Sequence, residues 1–307
     1  MDHVGKGFRS YMSKPGISKQ YDEMVRTVLS DADVQSFLDE HAEVISQATI
    51  NNSYSKLYEF VQQKNKIARG EEGQNPGYQP ELALNAGYID VVYVPSSDTL
   101  RRERERELRS RIKSINISKD ARSATMDKIV MTQNREEIVV MAFEFIENYH
   151  QSPTSHHQGL YLYGPFGVGK TYLLGAFAHE LSKKGHVTTM MHYPTFTQEM
   201  KASIADQTVS DKLNAVKNSE ILILDDIGAE VNSTWVRDEI LGVILQHRMQ
   251  EKLPTFFSSN FNFVELEEHL RMGNRGDDEP IKAKRLMERI KYLSKEVSVT
   301  GKNRRFD

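Results

Sequence analysis

The sequence contains no cysteine in 307 residues and lacks long hydrophobic runs. Without thiols the chain can form no disulfide, thiolate nucleophile, iron–sulfur cluster or cysteine-based zinc finger. Mean hydropathy is −0.56, and no apolar run approaches the ~20 residues that a membrane-spanning helix needs. The segment Met1 to Lys6 lacks the apolar centre of a signal peptide. We therefore expect a cytoplasmic protein with no membrane partner.

An excess of charge of one sign is also absent. The chain has 40 basic and 43 acidic residues and a formal net charge of −3, with an isoelectric point near 6.4. This balance excludes the global basic character of many nucleic-acid binders, so any DNA contact must be local or shared among subunits. The 38% of hydrophobic residues suffices for a packed core, and the length favours about two domains.

The N-terminal region is predicted to be mainly helical. Asp31 is placed to cap a helix whose apolar residues recur about every 3.6 positions. The segment from Ile89 to Val94 predicts a strand. Because no thiol is available to cross-link this region, we expect packing of large side chains to hold it together. The candidate core residues are Phe37, Leu38, Phe60 and Tyr93.

A charged segment and a polar segment follow this region. Arg101 to Lys113 mixes both signs of charge and leans basic. This pattern favours a solvated helix with ion pairs between successive turns, and it leaves open an arm that contacts phosphates. Low apolar content from Ser114 to Ser123 predicts a linker, and Asn134 is placed to cap the next helix. We accordingly expect two domains, residues 1–125 and residues 126–307.

From Gly159 onward, short apolar strands alternate with helical stretches. Such alternation is typical of a parallel sheet covered by helices on both faces. The predicted strands are Leu160–Tyr163, Val187–Met191, Ile221–Leu224 and Thr255–Ser258, and the predicted helices cover residues near 171–183, 195–204, 233–251 and 279–292. We therefore predict an α/β fold with a central parallel sheet flanked by helices, preceded by a smaller, mainly helical N-terminal domain.

A phosphate-binding loop lies between the first of these strands and the helix after it. Gly164-Pro165-Phe166-Gly167-Val168-Gly169-Lys170-Thr171 fits the pattern G-x-x-x-x-G-K-[ST], and Tyr172 follows. The glycines permit positive φ, so backbone N–H groups can converge on phosphate oxygens at a helix N-terminus. Lys170 is expected to neutralise the β and γ phosphates, and Thr171 to bind Mg²⁺. All residues from Gly164 to Tyr172 are candidate nucleotide ligands.

An acidic strand end supplies the expected catalytic carboxylates. The strand Ile221–Leu224 runs into Asp225 and Asp226, at the sheet edge where open α/β folds bind ligands. Asp225 is expected to hold Mg²⁺ beside Thr171, and Asp226 to polarise the attacking water as general base. The string from Asp225 to Gly228 also matches the GTPase pattern D-x-x-G. Because no guanine-reading N-K-x-D motif follows it, ATP is favoured.

Three further polar residues complete the expected site. Asn260 follows the strand Thr255–Ser258 and is expected to orient the attacking water between the acidic strand and the phosphate loop. Arg285 and Arg289 are four residues apart and share a helix face. One of them could reach the γ-phosphate of a neighbouring subunit as an arginine finger, which would require self-association. A basic solvated face is the alternative for this pair.

The order of these motifs resembles that of AAA+ ATPases, and more narrowly that of bacterial replicative-helicase loaders of the DnaI/DnaC type. The resemblance is specific over about residues 155–307 and looser over 1–125. It rests on the strings Leu-Tyr-Leu-Tyr-Gly-Pro-Phe-Gly (160–167), Leu-Asp-Asp-Ile-Gly-Ala-Glu (224–230), Trp-Val-Arg-Asp-Glu (235–239) and Pro-Thr-Phe-Phe-Ser-Ser-Asn (254–260).

This resemblance implies more than the motifs do. Such loaders bind the hexameric replicative helicase through the N-terminal domain and deliver it onto single-stranded DNA in an ATP-dependent assembly. Arg285 would lie near the γ-phosphate. Lys201 would contact DNA, because the segment from Tyr193 to Ile204 falls where the family inserts DNA-facing helices; an ordinary surface lysine is the alternative. The nucleotide chemistry would be carried by Lys170, Thr171, Asp225, Asp226, Asn260 and Arg289.

One departure from the family concerns zinc. The family's N-terminal domains usually carry a Cys/His zinc site, whereas this chain has Val94-Pro95-Ser96-Ser97 at about that place and no cysteine anywhere. The motifs described above predict ATP and Mg²⁺ as cofactors. Because the chain has no cysteine, we expect no zinc.

Two other functions stay open on the sequence. An AAA+ adaptor, such as a transposition helper ATPase that coats DNA and engages a transposase, would have the same motifs. A small-molecule kinase would use the phosphate loop without a macromolecular partner. The arginine pair and the large N-terminal region argue against the kinase.

Overall fold

The structure, a computed structural model, describes residues 23–273 and 278–304. The chain divides into two compact units between Arg104 and Glu105. The expectation that Met1 to Lys6 form no signal peptide lies outside the described residues. Within the described ranges, no helix is both long enough and apolar enough to cross a bilayer.

The first unit combines short helices with a β-hairpin. Residues 23–29 are helical. The elements after them are α1 (Ala32–Glu40), α2 (Gln47–Asn52), α3 (Tyr54–Ala68), β1 (Tyr78–Asn85) and β2 (Tyr88–Pro95). The predicted strand is confirmed as β2, and it pairs with β1 in an antiparallel register. Ala86 and Gly87 join the two strands at positive φ values of 47° and 82°, as tight hairpin turns require.

Aliphatic and aromatic side chains form the core of this unit. Phe60 is buried, with Phe37 and Leu38 packed beside it, as predicted. Tyr93 differs from the prediction, because it is only partly buried and does not belong to this core. Its hydroxyl has two acceptors within reach, Glu59 Oε1 at 3.0 Å and Gln74 Oε1 at 3.2 Å. The buried core residues are Val28, Val34, Leu57, Phe60, Val61 and Ile89.

A solvated helix, α4 (Ser97–Ser110), crosses the division between the units, and none of its residues is buried. Ion pairs connect its successive turns, for example between Arg101 and Asp98 at 3.0 Å and between Arg109 and Glu105 at 3.9 Å. The ion-paired helix is confirmed as far as Ser110, whereas Ile112 and Lys113, which the prediction included, belong to a strand. The phosphate-contacting arm stays a prediction.

The second unit contains a six-stranded parallel sheet in the order β3-β5-β6-β7-β4-β8. The strands are β3 (Ile112–Ile115), β4 (Gly159–Tyr163), β5 (Thr188–His192), β6 (Ile221–Asp225), β7 (Thr255–Ser259) and β8 (Ser294–Ser298). The helices are α5 (Lys119–Arg122), α6 (Gln133–Gln151), α7 (Lys170–Lys183), α8 (Tyr193–Ala202), α9 (Val209–Lys217), α10 (Gly242–Gln250), α11 (Phe263–Arg271) and α12 (Pro280–Leu293), with a 3₁₀ turn at Met126–Lys128 and a π-helical segment at Trp235–Leu241.

Both faces of this sheet are covered, as the alternation of strands and helices predicts. Leu160 and Leu162 of β4 belong to one core cluster, whereas Tyr161 between them belongs to the other. Successive side chains of a strand point to opposite faces, so the two clusters lie on the two sides of the sheet. The predicted α/β fold, a central parallel sheet flanked by helices, is confirmed.

The segment predicted as a linker is part of the second unit. Ile112–Ile115 forms strand β3, which pairs in parallel with β5. The short helix α5 packs against α7 so closely that a Cβ added at Gly175 would lie 2.1 Å from the carbonyl oxygen of Ala121. The division of the chain into compact units falls between Arg104 and Glu105, about twenty residues before the predicted boundary near 125. Sequence patterns miss this strand because it is short and half-exposed.

Asn134 also differs from its prediction as a helix cap. Helix α6 begins at Gln133, and Thr132 occupies the N-cap position. The side chain of Asn134 instead donates to the carbonyl oxygen of Ser298 at 2.9 Å and accepts from the N–H of Thr300 at 2.9 Å. It therefore attaches the segment after β8 to the start of α6.

Candidate functional site

The candidate site lies at the carboxyl ends of β6, β7 and β4, which are neighbours in the sheet. A cavity of about 850 Å³ opens there. Ligands of open α/β sheets bind at this edge, because loops and helix N-termini converge on it. The residues that line the cavity are Asn116, Ile117, Ser118, Asp120, Ala121, Phe166, Gly167, Gly169, Lys170, Thr171, Tyr172, His192, Thr195, Asp225, Asp226, Ser258, Asn260 and Arg304.

The phosphate loop adopts the backbone geometry that its glycines permit. Gly164, Gly167 and Gly169 have φ values of 149°, 78° and 90°, which L side chains rarely adopt. Helix α7 begins directly after Gly169, so its first N–H groups and its positive dipole end face the cavity. This arrangement suits a polyphosphate anion.

The predicted loop residues fall into three groups: those that line the cavity, those whose carbonyl oxygens bind Lys170, and one whose side chain is buried in the core. Phe166, Gly167, Gly169, Lys170, Thr171 and Tyr172 line the cavity. Gly164 and Pro165 contribute carbonyl oxygens, which accept hydrogen bonds from Lys170 Nζ at 2.7 and 3.0 Å. The side chain of Val168 is buried in the core and anchors the loop from below.

Lys170 connects the phosphate loop to the polar end of β7. Its Nζ donates to Asn260 Oδ1 at 2.8 Å, and Asn260 Nδ2 in turn donates to Asp226 Oδ1 at 3.1 Å. The structure therefore brings together three residues that the sequence separates widely. Asn260 lies between the acidic strand and the phosphate loop, at the place that the sequence predicts.

Asp225 has the surroundings expected of a magnesium ligand. Its Oδ1 accepts hydrogen bonds from Thr171 Oγ1 at 2.7 Å and from Ser258 Oγ at 2.6 Å. Burial raises the pKa of Asp225, although these two hydrogen bonds counteract the shift. A divalent cation would stabilise the ionised carboxylate, and a hydroxyl beside a carboxylate is an oxygen donor set that Mg²⁺ uses together with phosphate oxygens. The residues present therefore fit Mg²⁺.

Asp226 is held with its carboxylate towards the cavity. It has a positive φ of 61°, a conformation that Asp tolerates better than most residues. Its N–H donates to Ser258 Oγ at 2.9 Å. His192 Nε2 lies 3.8 Å from Asp226 Oδ2, and this carboxylate raises the pKa of His192. The carboxylate is half-exposed, so a water molecule can reach it.

Sequence reasoning missed several residues of the site. Ser258 was part of a predicted strand, but its hydroxyl contacts both aspartates. His192 ends β5 beside Asp226, and Arg304 reaches the cavity from the segment after β8. Arg135 is buried and donates to the carbonyl oxygen of Val168 in the phosphate loop at 2.8 Å. Of these four residues, only His192 had a sequence signal that could have identified it as a site residue, namely its position at the end of a predicted strand.

Outside the phosphate loop, three predicted site residues do not line this cavity. Lys201 is exposed on α8. Arg285 and Arg289 line a separate cavity of about 580 Å³ beside Met249 and Tyr292. Arg289 Nη1 donates to the carbonyl oxygen of Gly242 at 3.1 Å, and burial together with the nearby Arg285 lowers the pKa of Arg289. The pair therefore does not reach the phosphate loop of its own chain.

The fold and the site define a P-loop nucleotide-binding protein of the AAA+ class. Residues 1–93 match the family model described as the N-terminus of primosomal protein DnaI, and residues 96–307 match that of IstB-like ATP-binding proteins. The chain is 40% identical over 311 aligned residues to the replicative helicase loader DnaI of Bacillus subtilis strain 168, and the alignment covers 99% of each chain. The chain belongs to the DnaI family of replicative helicase loaders.

Solved structures agree with this assignment. A crystal structure of DnaI is 40% identical, covers 65% of this chain and 100% of its own length, and superposes with a TM-score of 0.57. The DnaC helicase loader is 21% identical, covers 60% of this chain and 100% of its own length, and superposes with a TM-score of 0.51. At that identity the second likeness concerns the fold alone.

Proposed function

We propose that this protein hydrolyses ATP and uses that cycle to deliver the replicative hexameric helicase onto single-stranded DNA during primosome assembly. The supporting observation is a continuous hydrogen-bonded chain in one cavity, on a protein similar to a helicase loader over its whole length. The chain runs from Thr171 through Asp225, Ser258, Asp226 and Asn260 to Lys170. We assign Lys170, Asp226 and Asn260 to the hydrolytic step and Thr171 and Asp225 to Mg²⁺, whereas Ser258 positions the two aspartates.

The hydrolytic step uses three of these side chains. Asn260 orients a water molecule, and Asp226 accepts its proton as the water oxygen attacks the γ-phosphorus. The bond from that phosphorus to the β,γ-bridging oxygen breaks, which releases ADP and inorganic phosphate. Lys170 neutralises the charge that develops on the phosphates. Bound Mg²⁺, held by Thr171 and Asp225, would supply Lewis-acid stabilisation of the same charge.

The adenine base is proposed to occupy a smaller cavity that adjoins the phosphate loop. This cavity of about 260 Å³ shares Gly169 and Tyr172 with the larger one. Ile129 and Leu173 give it apolar walls, which suit a flat base, and no guanine-reading motif is present. The triphosphate would then extend from this cavity towards Asp226.

The helicase is proposed to bind the first unit. The match of residues 1–93 to the N-terminus of primosomal protein DnaI supports this assignment. The near-neutral net charge of −3 fits a protein whose principal partner is another protein.

Single-stranded DNA is proposed to bind locally on the second unit, with Lys201 on α8 as one contact. Counterion release makes such binding fall steeply with salt. Lys201→Ala should reduce the slope of log affinity against log salt by about one. A flat salt response of the unmodified protein would contradict a backbone contact. Lys252→Ala, another exposed lysine, serves as the control.

A DNA-coating transposition ATPase is the second candidate, because residues 96–307 match the IstB-like family. The two candidates differ in partner: a transposase for this candidate, the replicative helicase for the first. The full-length similarity to a helicase loader favours the first.

Co-purification with the replicative helicase of the same organism tests the proposal. The full chain should retain the hexamer, and with ATP it should transfer the hexamer to circular single-stranded DNA. Lys170→Ala should keep the helicase bound but abolish nucleotide binding and transfer. Lys183→Ala, at the far end of the same helix and paired with Glu180 at 2.8 Å, should behave as the unmodified protein. Failure to retain the helicase would exclude the loader function.

A further inference from the structure

The segment after β8 packs against the phosphate loop. The N–H of Val299 donates to the carbonyl oxygen of Tyr163 at 2.7 Å, and the N–H of Arg304 donates to that of Gly167 at 2.9 Å. A Cβ added at Gly167 would lie 1.8 Å from Asn303 Oδ1. Residues 299–304, which we call the C-terminal strap, are therefore in direct contact with the loop that would hold the phosphates.

Arg304 stands where the two cavities of the site meet. Its side chain lines the large polar cavity and also the smaller apolar one, together with Gly169 and Tyr172. A nucleotide with its base in the small cavity and its terminal phosphates beside Asp226 would place its α-phosphate at this junction. In that pose the guanidinium would lie near the α-phosphate, whereas Asp226 and Asn260, which line the large cavity and not the small one, would lie near the γ-phosphate.

The guanidinium of Arg304 is not committed to another group in the described part of the chain. Among residues 23–273 and 278–304, its buried Nε has no hydrogen-bond partner and its side chain has no ion-pair partner. The neighbouring Arg135 differs, because its Nη atoms donate to the carbonyl oxygens of Val130 and Val168 at 2.9 and 2.8 Å. A buried guanidinium donor without an acceptor is costly, and an anionic oxygen removes that cost.

We propose that Arg304 binds the α-phosphate of the nucleotide and thereby couples nucleotide binding to the C-terminal strap. This inference rests on the proposed function, since it uses the same site. The positive charge comes from the same chain, so it acts without a neighbouring subunit. A contact at the α-phosphate is made equally to ATP and ADP, whereas a contact at the γ-phosphate is made to ATP alone.

Calorimetric titration of the full chain with ATP, ADP and adenosine in Mg²⁺ tests the proposal. Arg304→Gln should weaken ATP and ADP by the same factor, about tenfold for one charge-assisted hydrogen bond, and leave adenosine unaffected. Arg304→Lys should recover part of the loss. Lys302→Gln, two residues earlier in the strap and outside both cavities, should bind all three ligands as the unmodified protein does.

Hydrogen exchange of the unmodified protein gives a second readout that does not depend on a variant folding. Amides of residues 299–304 should exchange more slowly with ADP bound, and equally slowly with ATP. Unchanged exchange, unchanged affinity of Arg304→Gln, or a loss confined to ATP would each overturn the α-phosphate assignment. Failure of the unmodified protein to bind any nucleotide would instead overturn the proposed function itself.

Discussion

Ser258 organises both aspartates at the end of β6. Its hydroxyl donates to Asp225 Oδ1 at 2.6 Å and accepts from the N–H of Asp226 at 2.9 Å. One carboxylate is thereby buried beside Thr171, while the other turns towards the cavity. Two adjacent residues of the same type consequently acquire different surroundings, and different environments are how a pair of carboxylates divides its roles.

Substitution of Asp226 by Asn separates binding from hydrolysis. Asn tolerates the positive φ at this position, so the backbone should not change, but the amide cannot accept the proton of the attacking water. We expect ATP affinity to be unchanged and turnover to fall at least about a hundredfold. Calorimetry and a phosphate-release assay measure the two quantities. Asp211→Asn on the exposed part of α9 is the control, and normal turnover of Asp226→Asn would exclude the general-base role.

Glu230 makes the stability of the second unit depend on pH. Burial, with a small contribution from Asp226, raises the pKa of Glu230 to about 7 from an ordinary value of 4.5. The folded state therefore binds this proton more tightly than the unfolded state. The contribution of protonated Glu230 to the free energy of unfolding is therefore fully present below pH 4.5 and is lost as the pH rises through about 7.

The matching variant is Glu230→Gln, which keeps the size of the side chain and has no charge to bury. It should be more stable than the unmodified protein at pH 8, by roughly 2–3 kcal/mol, and equally stable at pH 4. Denaturant unfolding followed by the fluorescence of Trp235, the single tryptophan, reports on this unit. Equal stability of the two proteins at pH 8 would show that Glu230 is ionised without cost.

Helix α1 shows how a sequence signal and a tertiary contact combine at one element. Asp31 accepts from the N–H of Asp33 at 3.1 Å, as its predicted role of N-cap requires. Lys64 of α3 also donates to Asp31 Oδ2 at 2.6 Å, a contact that no local pattern predicts. Partial burial alone would raise the pKa of Asp31, but the hydrogen bonds and the charge of Lys64 outweigh it and lower the pKa.

Two substitutions of Asp31 distinguish the cap from the ion pair. Asn caps a helix as well as Asp does, so Asp31→Asn should lose only the ion pair, up to about 1 kcal/mol. Asp31→Ala should lose about 1 kcal/mol more. Hydrogen exchange of the α1 amides in the full chain measures both losses. The contribution of the ion pair is present above pH 3.8 and disappears as the pH falls through the lowered pKa, so Asp31→Asn should match the unmodified protein in strong acid.

Hydrogen bonds connect two parts of the first unit close to residues 94–97. The N–H of Ser96 donates to the carbonyl oxygen of Gly77 at 2.9 Å, and Thr99 Oγ1 donates to the same oxygen at 2.6 Å. These contacts join the start of β1 to the region after β2. The cysteine-free unit therefore has its own polar connection at this point, in addition to its apolar core.

Arg289 lies in a cavity separate from the nucleotide cavity of its own chain, which bears on whether the protein acts as a single subunit or as an assembly of subunits. Arg289 does not line the nucleotide cavity of its own chain, so a role in hydrolysis requires a second copy of the protein. Arg289→Ala should retain ATP binding but lose DNA-stimulated turnover by about two orders of magnitude or more. Lys291→Ala, which changes another basic residue of the same cavity, is the control.

Mixing two inactive variants tests whether this arginine acts between subunits. Arg289→Ala keeps an intact phosphate loop, and Lys170→Ala keeps an intact arginine. A mixture should recover turnover that neither variant shows alone, because one subunit supplies the site and its neighbour the finger. Absence of recovery, or normal turnover of Arg289→Ala alone, would leave the arginine pair as a solvated basic face.

The sequence by itself determined the class of fold and located the phosphate loop and the acidic strand end. Both follow from local patterns: apolar strands that alternate with helices, and motifs in which neighbouring residues act together, as from Gly164 to Thr171. Even the position of Asn260 followed from the order of the parallel strands, because their carboxyl ends meet at one edge.

Only the tertiary structure decided which distant parts of the chain contact one another, at the site and elsewhere. Strand β3 joins the sheet through pairing with β5, Asn134 attaches the strap from 166 residues away, and Arg304 enters both cavities. Arg248 is fully buried, with donors satisfied by Thr255 and by backbone carbonyls, and burial lowers its pKa to about 9. Such contacts depend on surfaces that exist only after the chain has folded. Residue spacing and composition along the sequence therefore do not predict them.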